Sequence, residues 1–292
     1  MQKAAEDTKW MQVARLANRK RTVSTFQRLS AAGFDPILLK GWSIERFYDE
    51  GMYRISTDID LLFKEEVAEE LNKYLPHMKP LTAIDQHFCP LHLEKLGFQE
   101  LSTRSYKVVL DGVPIRVLAD EDNLRITCVH WLTDGGVNRE KLWDVYYLVK
   151  NRKEGFDWER CLESNGPIRK TWVMAAIATA RDHLDLDVSN LPRDVKDFRL
   201  PGWYERTLAT EWRRGIYPRR LLSTVLFRPT LLFEQLRRKL PPNRIAATID
   251  TETPINETSR IPAQVKSLTK KAGSFARGLG RRITYSLRDN GQ

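Results

Sequence analysis

The sequence predicts an α+β protein, with short strands and helices mixed over the first 122 residues or so and a helical region beyond them. Three observations carry this. "DPILLKG" (35–41) and "TDIDLLF" (57–63) are short apolar runs bounded by glycine or by polar residues, as strands are. "SYKVVLDGVPIRVLA" (105–119) turns on Asp111-Gly112, the strongest short-range hairpin signal in the chain. After residue 122 the apolar residues recur every three or four positions, the period of a helix.

The elements follow in order. Residues 5–32 lack Pro and Gly and mix polar with apolar residues, which predicts one or two helices capped at Gly33. The 35–41 strand stops at Gly41, and "WSIERFYDE" then places Ile44, Phe47 and Tyr48 on one helical face. Gly51 ends that helix, and the chain enters the Asp58/Asp60 strand. A helix is predicted at 65–75, and further ones at 123–131, 139–150, 157–164 and 168–184. The division expected is a core at 1–122, a helical domain at 123–240, a Pro/Thr-rich linker at 241–262 and a basic amphipathic tail at 263–292.

Composition narrows the function classes. Hydrophobic content of 41% with 10% aromatic residues indicates a folded chain. The first residues, MQKAAEDTKW, are charged where a signal peptide would be apolar, and no run reaches the roughly 18 apolar residues of a membrane span. Three dispersed cysteines, Cys89, Cys128 and Cys161, argue against a disulfide framework, so a cytoplasmic location is expected. The net charge of +10 is uneven: residues 195–292 hold 20 Lys/Arg against 8 Asp/Glu, whereas residues 1–194 hold 28 against 30. The basic excess therefore belongs to the last third and points to an anionic partner there.

The chemistry of the chain concentrates at "RISTDIDLLF" (54–63). Residues two apart in a strand face the same way, so Asp58 and Asp60 aim two carboxylates at one point. Such a pair is unfavourable without compensation, and a divalent cation is the usual compensation. Upstream, Gly41 at a strand-to-helix turn lets backbone N–H groups approach an anion. Lys40 and Arg54 lie close enough in sequence to neutralise phosphate charge, although Lys40 suits a solvated strand end and Arg54 suits an ion pair equally well.

Leu39-Lys40-Gly41, Tyr48, Arg54, Ser56, Asp58-Ile59-Asp60 and Leu61-Leu62, taken in order, resemble the nucleotidyltransferase superfamily with the DNA polymerase β fold. The likeness is to its uncharacterised bacterial branch, and "R-x-S-x-D-x-D" is also similar to the AbiEii-type nucleotidyltransferases of toxin–antitoxin systems. "CVHWLTDGGVNREKLWDVYYLV" (128–149) resembles the His…Arg…Asp helix that follows the core in both groups. The resemblance covers roughly residues 10–185 and implies a small mixed sheet with flanking helices. It also implies Mg²⁺ or Mn²⁺ on Asp58 and Asp60, and the β/γ phosphates of an NTP on the turn formed by Lys40, Gly41 and Ser43, with Arg54 nearby. Two divalent ions about 4 Å apart neutralise the attacking and leaving oxygens in such transfer.

Two departures qualify this. The third metal carboxylate is expected on a later strand, often as Asp/Glu-x-His, but "VPIRVLADED" places Arg116 at the acid position and Leu118 at the histidine position. Asp120 or Asp111 can take that place only in a shifted register. Trp42 also stands where a small residue usually follows the turn glycine. Asp144, on the helix of Leu142, Val145, Tyr146 and Val149, suits a structural pair, for example with Lys141, as well as catalysis. "HFCPLH" (87–92) offers His87, Cys89 and His92, but no second ligand pair has a zinc spacing and Pro90 interrupts any helix that would align them.

In the last third, Val265, Leu268, Phe275, Leu279 and Ile283 recur at helical spacing opposite Lys270, Lys271, Arg277, Arg281 and Arg282. A basic amphipathic helix suits an anionic membrane surface or an acidic partner, and a helix covering the protein's own core fits equally. Nucleic acid stays open as a partner, although aromatics are sparse in that tail. The function expected is Mg²⁺-dependent transfer of an NMP from an NTP to a hydroxyl of an acceptor. The alternatives are a catalytically impaired nucleotide-binding interaction protein, suggested by Arg116, and an AbiEii-like toxin.

Overall fold

The computed structural model describes residues 2–54, 56, 58–78, 84–89, 94–215, 230, 231, 233, 237 and 239–273, with side chains from residue 10 onward. The chain forms two compact units. The first comprises Met1–His130 and Glu140–Phe198, and the second comprises Trp131–Arg139 and the described residues from Arg199 onward.

The first unit is built on a five-stranded mixed sheet of β1 (Ile37–Leu38), β2 (Ile59–Leu62), β3 (Ile84–His87), β4 (Tyr106–Leu110) and β5 (Val113–Val117). Their spatial order is β3-β2-β1-β5-β4. β1 runs antiparallel to β2 and parallel to β5, and β3 runs parallel to β2. The β4–β5 hairpin turns at Asp111 and Gly112, both with positive φ (47° and 81°), as a tight two-residue hairpin turn requires. All four residues of β2 are buried, Asp60 among them.

Helix α1 (Gln2–Ala31) ends at Gly33, whose φ is 85°, and packs Phe26 and Leu29 into a core with Leu38, Leu61, Ile115 and Val117. α2 (Trp42–Glu45) is a single turn, much shorter than the Ile44/Phe47/Tyr48 pattern predicts. α3 (Ala68–Tyr74) confirms the helix expected at 65–75 after a 3-10 turn. α4 (Phe98–Arg104) precedes the hairpin.

The helices expected beyond 122 are present as α5 (Asp120–Thr133), α6 (Leu142–Lys150), α7 (Trp158–Glu163) and α8 (Gly166–Leu184), followed by the short α9 (Arg193–Lys196). Arg125 of α5 is fully buried and is held by Glu94 (Nε–Oε2 2.8 Å) and Asp122. A buried guanidinium is tolerable only with such partners.

The second unit contains α10 (Gly202–Arg214), α11 (Arg244–Asp250) and a helix over 261–273. The segment 241–262, expected as a linker, therefore holds a capped helix, and it buries Ile245, Ile249, Ile255 and Arg260. Its turn residues are structural: Asn243 caps α11 by accepting from the Ala246 N–H (3.0 Å). The tail expected at 263–292 begins as the 261–273 helix. Ala263 and Ser267 are buried, and Ser267 donates to Asp250 (2.6 Å), while Val265 and Leu268 are exposed. Phe275, Leu279, Ile283 and the arginines after them lie outside the described residues. Among the described residues no helix is long and apolar enough to cross a membrane.

Candidate functional site

The site is one edge of the sheet. β1 ends at Leu39-Lys40, and Gly41 turns the chain into α2 with φ 68° and ψ −123°. Residues with a side chain rarely adopt that conformation, which is why a glycine stands there. A Cβ at this position would lie 3.6 Å from Ser56 Oγ and 3.9 Å from the Asp58 carbonyl, so the turn faces the entrance of β2. Ser43 is buried, and its Oγ donates back to the Lys40 carbonyl (3.3 Å), closing the turn.

β2 lies antiparallel beside β1, with the Leu39 N–H donating to the Asp60 carbonyl (3.0 Å). The Lys40 ammonium consequently reaches Asp60 Oδ1 at 2.8 Å. Asp60 pairs directly with Asp85 of β3, and Leu62 with His87. Paired residues share a face of the sheet, and so do residues two apart. His87 Nε2 therefore lies 3.3 Å from Asp60 Oδ1 and 3.5 Å from Asp85 Oδ2. The ligand atoms of Asp60, Asp85 and His87 all fall within 4.8 Å of one another, a group that could hold a metal ion. Burial pushes the Asp60 carboxyl up, but His87 and Lys40 outweigh it and hold it at about 2. Asp60 is thus an anion under all ordinary conditions.

Asp58 precedes β2 by one residue and is exposed. Its backbone carbonyl accepts from Ser56 Oγ (3.1 Å). Asp120 stands apart from this group, at the start of α5 after β5, with β1 between β5 and β2. It accepts from Arg46 Nη2 (2.6 Å) and Tyr106 Oη (2.5 Å), and Lys153 lies 3.3 Å away. Those partners bind its carboxylate into a separate cluster, and it does not join Asp60, Asp85 and His87.

Arg54 is turned toward α6. Its Nε and Nη2 donate to the two oxygens of Asp144 (2.8 and 3.0 Å), and Tyr48 Oη donates to the same carboxylate (2.7 Å). Burial alone would lower the Arg54 pKa, but the Asp144 charge raises it overall. Three residues of the quoted motifs, Tyr48, Arg54 and Asp144, therefore meet in one buried strut. Among the described residues, Arg54 Nη1 is buried without a hydrogen-bond partner.

Arg116, expected at the third acid position, is engaged away from this group. Its Nε and Nη2 donate to Asp35 Oδ2 (3.0 and 2.6 Å) and its Nη1 to Ser105 Oγ (3.1 Å), while Leu118 is fully buried. The acid-x-histidine order is instead present on β3 as Asp85-Gln86-His87. Sequence reasoning missed it because "IDQH" has a single apolar residue and no strand period. His87 was noticed only as a member of "HFCPLH", of which His92 lies outside the described residues. The signal that would have found it is the Asp-x-His spacing itself.

A mixed sheet that gathers carboxylates, a histidine and a lysine beside a glycine turn defines the class as an α+β domain with a metal-capable group. The chain belongs to the uncharacterised nucleotidyltransferase family, whose model matches residues 2–176. No curated protein and no solved structure matches the chain significantly. Family membership suggests transferase activity with an NTP substrate.

Proposed function

We propose that the protein transfers a nucleoside monophosphate from an NTP to a hydroxyl of an acceptor, with Mg²⁺ or Mn²⁺ at the β2–β3 edge. The observation that carries this reading is the direct pairing of Asp60 with Asp85, with Lys40 and the Gly41 turn beside them. The donor set suits the group: Asp60 and Asp85 offer the oxygens that hard cations prefer, and the exposed Asp58 lies two residues from Asp60 on the same strand entry. When bound, such a cation neutralises the charge on the attacking and leaving oxygens.

The remaining roles belong to the chain. Lys40, paired with Asp60 beside the Gly41 turn, is the cation that would meet the triphosphate. Gly41 brings backbone close to the phosphates, and the Ser43 hydroxyl holds the turn in shape. His87 orients Asp60. Arg54 acts through the Asp144 strut, which ties the approach to β2 to α6. Asp120 fixes Arg46, Tyr106 and Lys153 in a cluster of its own. Lys153 also lines an open cavity of about 720 Å³ with Tyr146 and Trp158, a candidate place for an acceptor.

The reading as an impaired nucleotide-binding protein rests on Arg116 at the third acid position, and the contacts of Arg116 with Asp35 and Ser105 favour the transfer reading over it. The test is calorimetric titration of NTP in the presence of Mg²⁺, followed by assay of pyrophosphate release with hydroxyl-bearing acceptors. Asp60→Asn is expected to abolish release and to weaken Mg²⁺-dependent binding. Wild-type binding and release by Asp60→Asn would defeat the proposal.

A further inference from the structure

The second unit contains a cavity of about 420 Å³, within the range of small-molecule sites. One wall is a face of α10, where Arg206, Thr210 and Arg214 follow one another at four-residue intervals. The opposite wall is Leu240-Pro241-Pro242 and Arg244, with Gln264 of the 261–273 helix between them. The walls are preformed: Gln264 Nε2 donates to the Pro242 carbonyl (2.5 Å), and Asn243 is fixed by capping α11.

The charge of this cavity is lopsided. Three guanidiniums line it against one carboxylate, Glu211, and among the described residues that carboxylate pairs with Arg214 alone, at 3.8 Å. Among the described residues Arg206 and Arg244 have no acidic partner. Arg206 is also given space by the sequence, since a Cβ at Gly202 would come within 3.2 Å of its Nη1. The cavity wall thus carries an excess of two positive charges among the described residues. An anion of charge near −2 would balance the set, and the guanidinium fork matches phosphate oxygens in particular.

We infer that this cavity binds a phosphate-bearing ligand, a monoester or diphosphate on a small organic body that rests against the Leu240–Pro242 wall. The residues lining this cavity lie outside residues 2–176, and the inference does not depend on the nucleotidyl-transfer reading.

The experiment is calorimetric titration of the full chain with inorganic pyrophosphate, in a Lys40→Ala background that weakens the turn of the first unit. Binding is expected to persist there, to fall steeply with added salt, and to weaken about tenfold or more in Arg206→Gln/Arg244→Gln, as loss of charge-assisted hydrogen bonds predicts. Both arginines are exposed, so the thermal midpoint without ligand should stay unchanged. Arg206→Lys/Arg244→Lys should fall between, keeping the charge but losing the fork. Competition by phosphatidylcholine vesicles carrying phosphatidic acid would name a lipid headgroup as the source. Its absence would name a soluble phosphate, and either result retains the site. Pyrophosphate binding that vanishes in Lys40→Ala alone, or that is unchanged by the double Gln variant, would overturn the inference.

Discussion

Arg54 and Asp144, ninety residues apart, form a two-armed ion pair with Nε–Oδ1 at 2.8 Å and Nη2–Oδ2 at 3.0 Å. Tyr48 completes it from the segment after α2, and its ring lies against Tyr147 with centroids 4.3 Å apart. The loop that delivers Asp58 is thereby tied to α6. Burial and the Asp144 carboxylate both push the Tyr48 hydroxyl well above the ordinary tyrosine range, so it stays a donor to Asp144.

Breaking this pair from one side leaves a buried charge without its partner. Asp144→Ala is expected to cost about 3–5 kcal/mol in chemical denaturation. Tyr48→Phe should cost about 1 kcal/mol, the worth of one hydrogen bond. Arg54→Met with Asp144→Leu should regain much of the loss, because both charges then leave together. If Arg54 Nη1 also serves a phosphate, that double variant will remain weak in NTP binding despite its recovered stability. Full recovery of both would confine Arg54 to the strut.

The Arg116–Asp35 pair makes a different prediction because Asp35 is more than half exposed. Burial is the largest single influence on the Asp35 carboxyl and raises it, but the hydrogen bond and charge of Arg116, with help from Lys107, together outweigh it and lower it overall. A carboxyl lowered in the folded state stabilises the fold above its unfolded pKa, and that contribution fades as pH falls through the folded value. Arg116→Gln should therefore remove a small part of the acid-side pH dependence of stability. The cost near neutral pH should be below about 1 kcal/mol, as for exposed pairs. Nucleotide binding should not change. A marked loss of Mg²⁺-dependent NTP binding in Arg116→Gln would place this residue back at the site.

Short-range signals made much of this legible. The Asp111-Gly112 turn, the Lys40-Gly41 strand end and the helical periods of 142–149 and 168–184 are all local, and the structure keeps them. The pairing of Asp60 with Asp85 is not local. It depends on β3 docking beside β2, and "IDQH" gains its strand from that neighbour rather than from its own pattern. The partner of Asp144 was hidden for the same reason, since a sequence reading favours nearby candidates such as Lys141. Residues 244–250 were concealed by the prolines and threonines around them, although Asn243 is a cap signal in plain view.

Gly41 and Gly51 offer a matched pair of substitutions. Both have positive φ, 68° and 84°, and neither would meet a close clash on gaining a Cβ. Gly41→Ala and Gly51→Ala should each destabilise through backbone strain, by about 1–3 kcal/mol. Only Gly41→Ala should weaken NTP binding, because only its turn faces Ser56 and the Asp58 carbonyl. Equal loss of NTP affinity in both variants would mean that the effect travels through global stability.

Asp85 and His87 separate the roles within the metal-capable group. Asp85→Asn removes a ligand oxygen while leaving the strand and its neighbours in place, since its side chain is 56% exposed. Stability should change by less than about 0.5 kcal/mol, whereas Mg²⁺-dependent NTP binding should weaken and pyrophosphate release should fall by orders of magnitude. His87→Gln removes the partner that holds Asp60 without removing a carboxylate. Hard cations favour oxygen ligands, so this variant should bind NTP and Mg²⁺ nearly as the wild type does but release pyrophosphate more slowly. Replacing Mg²⁺ by Zn²⁺ gives the opposing outcome a clear signature, because an imidazole suits zinc. If the wild type works best with Zn²⁺ and His87→Gln abolishes that preference, His87 is a direct ligand and the group is a nitrogen–oxygen site. If Asp85→Asn transfers at the wild-type rate, β3 contributes no ligand, and the search for the third acid returns to Asp120.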